Sequence, residues 1–312
     1  MRVVIFGAGG VGGYFGARLA AAGTDVTFIA RGRHLAALRR SGLAVKSPAG
    51  DLRLRPVDAT DDPRSVAPGD VVLLTTKTWQ LDAALPFLSG LLAPVGAILP
   101  LLNGIETGDR LAESLSPGRV LKGLARIVSR VSGPGVITHV GVEPTIVFKE
   151  FDNTPSRRTA SLSAELSRAG LRAVVPDDID EALWEKFLFV VSIGGVGAVA
   201  RAPVGVVRRD PARRAMLQAA MEEVRAVARA RGVALGKDVV SSAMRFLDGM
   251  PAEATASLQR DLADGRRSEL DAWTGAVVRL GRAAEVPTPV HVEILARLRP
   301  QEEAARRAAG SS

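Results

Sequence analysis

The chain has 312 residues, 47% apolar and 24% charged, with a formal net charge of +8 and no cysteine. That length suits two domains, each with room for its own core, and the composition is ordinary for a globular protein. Disulfide and thiolate chemistry are excluded, and basic residues scattered among Asp and Glu argue against nucleic acid as a partner.

No uninterrupted apolar run reaches the roughly 18 residues of a membrane span. The first residues enter a strand at once, leaving no room for a signal peptide. A cytoplasmic protein without a membrane partner is expected. His34, His139 and His291 lie far apart in the chain, so no metal site is expected. Of the 41 Lys and Arg only six are Lys. Arginine stays charged under all working conditions whereas lysine can be tuned to release a proton, so each lysine merits inspection.

Arg2–Phe6 reads as a buried strand and runs directly into Gly7-x-Gly9-x-x-Gly12. A helix pattern (Val11, Phe15, Leu19) follows to Gly23. In a strand–glycine turn–helix the first glycine permits the tight turn, the second lets backbone approach a diphosphate, and the third lets helix and strand pack closely. The anion then sits at the positive end of the helix. Gly7, Gly9, Gly10 and Gly12 are the candidate cofactor-binding glycines.

Asp25–Ile29 is the second strand. An NAD site would carry an acid near its end for the ribose hydroxyls. Here the strand runs into Ala30-Arg31-Gly32-Arg33-His34. That suits a 2′-phosphate and predicts NADP(H), with Arg31 the best single contact; a solvated basic loop would contain the same residues. Leu43–Lys46 and Leu52–Arg55 flank a Ser-Pro-Ala-Gly turn and read as a hairpin. Val71–Thr76 is a buried strand whose end leads to Lys77 and Gln80. Ligands of open α/β sheets lie beyond the carboxyl ends of strands, so Lys77 points at the cofactor or simply opens the next helix. Ala97–Leu101 ends in Asn103-Gly104. Asn103, one of only two asparagines, can hold nicotinamide, substrate or a catalytic lysine through its amide, or serve a turn that tolerates the left-handed region.

Val120–Val131, Gly135–Val140 and Thr145–Lys149 read as antiparallel strands extending the sheet. Thr159–Ala169 is a helix and Arg172–Val175 a short strand. From Pro176 nearly everything has helical period, with Asp177, Asp178 and Asp180 placed to cap the first helix. The boundaries drawn are 1–175 for the nucleotide domain, 176–300 for the helical domain, and 301–312 for a frayed tail. The helix from Ile179 is apolar nearly all round, hence deeply buried, and Lys186 sits inside it. A buried lysine loses pKa and becomes a usable acid or base; it could equally snorkel or pair with Glu181 or Glu185. Ser257, Asp261 and Glu269 follow in a polar stretch, where helix-end, salt-bridge and capping roles suffice, with Ser268 as the cap for Glu269.

Taken together, GAGGVGG at the start, Arg31, KTWQ at 77–80, NG at 103–104, ALWEK at 182–186, SLQRD…GRRSELD at 257–271 and LGRAAEVPTP at 280–289 resemble the ketopantoate reductase (2-dehydropantoate 2-reductase) family over nearly the whole chain. The resemblance implies an α/β N-terminal Rossmann domain, a second, all-helical C-terminal domain, and an active site in the cleft between them. It implies NADPH reduction of a 2-oxo acid to a 2-hydroxy acid, ketopantoate to pantoate in pantothenate biosynthesis. It places the proton-donating lysine at Lys186, a second catalytic residue at Glu269 that binds substrate, helps set the site's charge and also meets the cofactor, and the active-site serine at Ser257. Asn103 falls on the family's asparagine, and Arg31, Lys77 and Gln80 beside the cofactor.

The chain departs from the pantoate-specific pattern where family asparagines are replaced by Val190, Gly194, Val204 and Thr274. Valine and glycine cannot make those hydrogen bonds, and losing such partners abolishes selectivity for a hydroxylated substrate. A more apolar 2-oxo acid, or another carbonyl or imine, is the alternative substrate. A catalytically silent NADP(H) sensor is a third reading. The helical domain offers apolar faces that could pair as a homodimer.

Overall fold

A computed structural model describes residues 1–310. The chain forms two compact units. One comprises Met1–Leu102 and Thr107–Ile179; the other comprises Asn103–Glu106 and the chain from Asp180 onward.

The first unit opens with β1 (Arg2–Phe6), α1 (Gly10–Ala21), β2 (Asp25–Ile29) and α2 (Gly32–Ser41). There follow β3 (Leu43–Lys46), β4 (Leu52–Leu54), β5 (Asp58–Thr60), β6 (Gly69–Leu74), α3 (Leu81–Leu88) and β7 (Leu92–Pro100). After α4 (Thr107–Leu115) come β8 (Leu121–Gly133), β9 (Val136–Glu150), α5 (Arg157–Arg168) and β10 (Arg172–Val174). Five parallel strands make the first sheet in the order β5-β2-β1-β6-β7. Successive residues of a strand face opposite sides, and both sides are covered. Val3 and Ile5 join one core with Tyr14, Phe15 and Leu19, while Val4 and Phe6 join another with Leu81, Leu88 and Leu111. Burial on both faces explains why these strands read as continuous apolar runs.

Apart from a single parallel bridge between Val120 and Ile98 of β7, the strands after residue 120 do not extend that sheet. They build a second one, ordered β10-β9-β3-β4, with β8 antiparallel to β9. The hairpin partner β3 also pairs in parallel with β9. Leu121, Ile137, Ile146 and Phe148 of this sheet pack in the same core as α1. Alternating apolar residues specify a half-buried strand but not the sheet it joins, and the packing surface of α1 decides that here.

The second unit contains α6 (Ile179–Ala200), α7 (Val204–Arg209), α8 (Pro211–Ala230), α9 (Val239–Gly249), α10 (Ser257–Ala263), α11 (Ala276–Ala283) and α12 (Pro289–Gly310), with a π-helical turn over Asp271–Gly275. α6 is long and apolar enough by composition to cross a membrane, but 61% of its apolar window is buried inside the protein. Glu185 and Lys186 interrupt it, and its Trp184, Phe187, Leu188 and Val191 are core. Glycines let neighbours approach this helix closely. A Cβ at Gly194 would lie 2.8 Å from the Trp273 ring, and one at Gly195 would lie 3.0 Å from Ile294.

The segment expected to fray instead continues α12 through Pro300 to Gly310. Two buried side chains tie it down. Ala305 packs inside, and the Glu302 carboxylate accepts from the Ser268 N–H at 2.9 Å and its hydroxyl at 2.6 Å. Ser311 and Ser312 lie outside the described residues.

Candidate active site

The glycine turn stands at the carboxyl end of β1, where the strand order reverses direction. Gly7 has φ +108°, a conformation glycine adopts without strain. The N–H groups of Gly7 and Ala8 both donate to the Ile29 carbonyl, at 3.1 and 3.2 Å, fixing the turn to the end of β2. Thr75 Oγ1 donates to the Gly7 carbonyl at 2.7 Å, fixing it to the end of β6. The first intrahelical bond of α1 runs from the Gly13 N–H to the Gly9 carbonyl, at 2.7 Å. The preceding N–H groups of the first turn therefore have no helical acceptor. No side chain caps this end and no acid lies in its first turn.

The glycines divide by what a side chain would meet. A Cβ at Gly9 has nothing within 4 Å, whereas one at Gly10 would lie 2.6 Å from the Ser129 carbonyl. At Gly12 it would overlap the Gly7 carbonyl and Thr75 Oγ1 and lie 2.8 Å from Ile5. Gly10 and Gly12 are thus demanded by packing against β8 and β1, while Gly9 keeps open the approach to free N–H groups at a positive helix end. A diphosphate fits there.

Arg31 follows β2 and precedes α2, is exposed, and among the described residues makes no side-chain hydrogen bond or ion pair. Gln80 accepts from the Lys77 N–H at 3.1 Å, so these two candidates pair with each other in one turn. The Lys77 ammonium lies 5.6 Å from the Trp79 ring centre. Two neighbours of the turn, Thr75 and Ser129, escaped the sequence reading, and a third, His34, was read only as part of the basic loop after β2. The pair Thr75-Thr76 at the end of a buried strand was the available signal for the first. His34 Nδ1 accepts from the Gly135 N–H at 3.1 Å, and its buried Nε2 faces the Ala8 carbonyl without reaching hydrogen-bond geometry. Burial holds the His34 pKa below the ordinary 6.5, with the Ala8 carbonyl acting weakly the other way.

In the second unit, the Lys186 ammonium donates to Asn103 Oδ1 at 2.9 Å. The two residues are far apart in sequence, yet the Asn103–Glu106 loop belongs to the same unit as α6. Lys186 is half-buried, not fully buried as the apolar pattern suggested. It lies on the side of α6 opposite Trp184, Leu188 and Val191, with Phe189 and Val190 one turn further on. Glu269 is 4% exposed and its carbonyl accepts from the Trp273 N–H at 3.0 Å, opening the π-helical turn. Ser268 Oγ accepts from the Leu270 N–H at 3.3 Å, but no side chain caps the π-helical turn itself. Ser257 is half-buried at the start of α10.

The replaced positions have distinct surroundings. Val190 is half-buried, Gly194 is covered by the Trp273 ring, and Val204 and Thr274 are buried in the helical core. Among the described residues no group of three or more His, Cys, Asp or Glu could hold a metal ion.

Residues 3–153 match the family model described as "Ketopantoate reductase PanE/ApbA", and residues 178–302 match its C-terminal counterpart. The chain belongs to the ketopantoate reductase family. Family membership makes it an oxidoreductase acting on CH–OH groups. Among its relatives is a 2-dehydropantoate 2-reductase of Halobacterium salinarum, 32% identical, with 93% of this chain and 95% of that one aligned. The solved PanE/ApbA family ketopantoate reductase of Ralstonia eutropha is 33% identical with a TM-score of 0.90, covering 98% of this chain and 100% of that one. The 2-dehydropantoate 2-reductase structure from Geobacter metallireducens is 29% identical, also with a TM-score of 0.90, covering 96% and 99%.

Proposed function

We propose that this ketopantoate reductase family member reduces a 2-oxo acid with NADPH, the first unit holding the nucleotide and the second supplying the proton. The observation that carries the reading is the contact between Lys186 and Asn103. A half-buried ammonium on a mostly apolar helix is held at 2.9 Å by an amide oxygen, which fixes where its charge and its protons lie.

When bound, the reduced nicotinamide supplies hydride. Negative charge then develops on the carbonyl oxygen, and the Lys186 ammonium, at about 3 Å, stabilises that charge and delivers a proton to it. The resulting amine regains its proton from solvent. An arginine could stabilise the charge but not release a proton. Glu269 and Ser257 are assigned to substrate binding, with Glu269 also meeting the cofactor. Support for NADPH over NADH comes from the unpaired Arg31 guanidinium beyond β2, where an acid would favour the free hydroxyls.

Ketopantoate is the first candidate substrate. A more apolar carbonyl compound or imine is favoured by one observation: Val190 and the Trp273-covered Gly194 replace hydrogen-bonding groups on the face of α6 that carries Lys186. The test is NADPH oxidation against a panel of 2-oxo acids, beginning with ketopantoate, in wild-type protein and in Lys186→Ala and Arg31→Ala. Expected are a loss of turnover by orders of magnitude in Lys186→Ala with NADPH still bound, and a loss of NADPH preference over NADH in Arg31→Ala. Near-normal turnover without Lys186 refutes the mechanism. Nucleotide binding with no turnover on any substrate would instead identify a silent NADP(H)-binding protein.

A further inference from the structure

The loop that brings Asn103 to Lys186 has a second anchor. Gly104, at φ +106°, turns the chain, and Ile105 packs on the helical core. Glu106 then accepts from Arg279 Nη2 at 2.7 Å. Arg279 lies on α11, and its guanidinium also reaches the Asp271 carboxylate and the Asp271 carbonyl, each at 3.2 Å. Asp271 opens the π-helical turn two residues beyond Glu269. A single guanidinium therefore joins the loop carrying Asn103 to the segment carrying Glu269. Its planar fork suits this, since it satisfies several acceptors at fixed angles where an ammonium is a point charge. The Arg279 pKa is raised overall: burial lowers it, but the Glu106 and Asp271 carboxylates outweigh burial.

Asn103 and Glu106 are the two ends of one short turn. Moving the Glu106 end displaces the amide oxygen that holds the Lys186 ammonium. Such displacements matter for chemistry, because a misplacement of about 1 Å can cost about 100-fold in rate. The same ion pair contributes little to folding, with side chains 47% and 32% exposed for Arg279 and Glu106.

We infer that Arg279 is a positioning residue for the reduction, holding the Asn103–Glu106 loop through Glu106 so that Asn103 fixes the Lys186 ammonium. This rests on the proton-donor role proposed for Lys186. It acts on the rate of the chemical step and leaves nucleotide binding alone.

The experiment compares Arg279→Gln, Glu106→Gln, the double variant and Arg279→Lys in the full-length protein, with ketopantoate or the fastest 2-oxo acid of the panel. Expected is a fall in kcat of about 10- to 100-fold in each Gln variant. KM and the NADPH dissociation constant should change by less than about threefold, and the pH profile of kcat should shift on its basic limb, where the ammonium is lost. The double variant should be no worse than the poorer single one, since both remove one contact, and Arg279→Lys should recover part of the rate. Values of kcat within about twofold of wild type in both single variants overturn the inference. So does a multiplicative loss in the double variant. Should the Gln variants fold poorly, Arg279→Lys decides by the same pH profile: a fall in kcat with a displaced basic limb supports it, and an unchanged profile refutes it. Lys186→Ala is the reference. Lost turnover there beside normal Arg279→Gln sinks this inference alone, whereas normal turnover in Lys186→Ala sinks the functional reading beneath it.

Discussion

Alanine at Gly12 and alanine at Gly9 are chemically identical substitutions one helical turn apart, and the geometry assigns them opposite consequences. At Gly12 the new methyl would sit below 3.0 Å from the Gly7 carbonyl, Thr75 Oγ1 and Ile5. The first two already hydrogen-bond each other at 2.7 Å, so making room breaks that bond, worth about 1 kcal/mol. Forcing the methyl between β1 and α1 adds about 1–3 kcal/mol of overpacking. A total of about 2–4 kcal/mol lowers the melting temperature by roughly 5–15 °C for a unit of this size. At Gly9 nothing lies within 4 Å, and exchanging glycine for alanine, a poorer N-cap, costs about 0.5–1 kcal/mol. Its methyl occupies instead the space through which a diphosphate reaches the helix N–H groups, and affinity should fall at least about tenfold, or 1.4 kcal/mol. Thermal unfolding without nucleotide, paired with NADPH titration by calorimetry, reads both quantities. A Gly9→Ala protein that melts as low as Gly12→Ala, or that binds NADPH normally, refutes the division of roles. Wild-type stability in Gly12→Ala refutes the packing argument.

Other substitutions test other parts of the molecule. His34 has a folded pKa below 6.5, so between the two values the unfolded chain binds a proton that the folded chain does not. Its contribution to stability is complete above pH 6.5 and is lost as pH falls toward the folded value; the wild-type melting temperature should drop across that interval more steeply than that of His34→Gln, and equal slopes would refute it. The Glu223 carboxylate accepts from the backbone N–H groups of Val290 and His291, at 2.6 and 3.0 Å, and lies 2.7 Å from His291 Nδ1, capping α12 from α8. Glu223→Ala strands these buried groups and should cost about 2–4 kcal/mol in urea unfolding; a loss below about 0.5 kcal/mol would mean the cap is dispensable. Glu302→Ala leaves the buried Ser268 N–H and hydroxyl without their acceptor and should cost about 1–3 kcal/mol. An unchanged urea midpoint would show that the end of α12 does not anchor Ser268.

Much of the first unit was legible because its signals are local. A strand buried on both faces is a run of Val and Ile, a turn needing φ > 0 is a glycine, and both fall side by side in Arg2–Gly12. The edges of the second sheet were not legible, because parallel pairing of β3 with β9 joins residues some ninety positions apart and leaves no mark in either segment. Lys186 stood out as a charge in an apolar helix. Its degree of burial did not, since a helix apolar all round does not say which face the lysine shares with Phe189 and Val190. The extension of α12 was hidden by composition: an Ala- and Arg-rich stretch looks solvated, and the distant Ser268, which bonds Glu302 from the buried side while Arg306 bonds it along the helix, cannot be read from that stretch. His34 gave no sign of its place, since its partner Gly135 comes from the distant β8–β9 turn.

The Asn103–Glu106 loop lies early in the gene but packs with the late helices. Its ancestry is therefore tied to theirs. Recombination between two family members at one crossover near residue 178 would seat a foreign asparagine loop against native Lys186 and Arg279 and break a matched set. Chimeras that also transplant the loop should tolerate the exchange, so the modular boundary of this protein is three cuts, after residues 102, 106 and 179, and cannot be a single one.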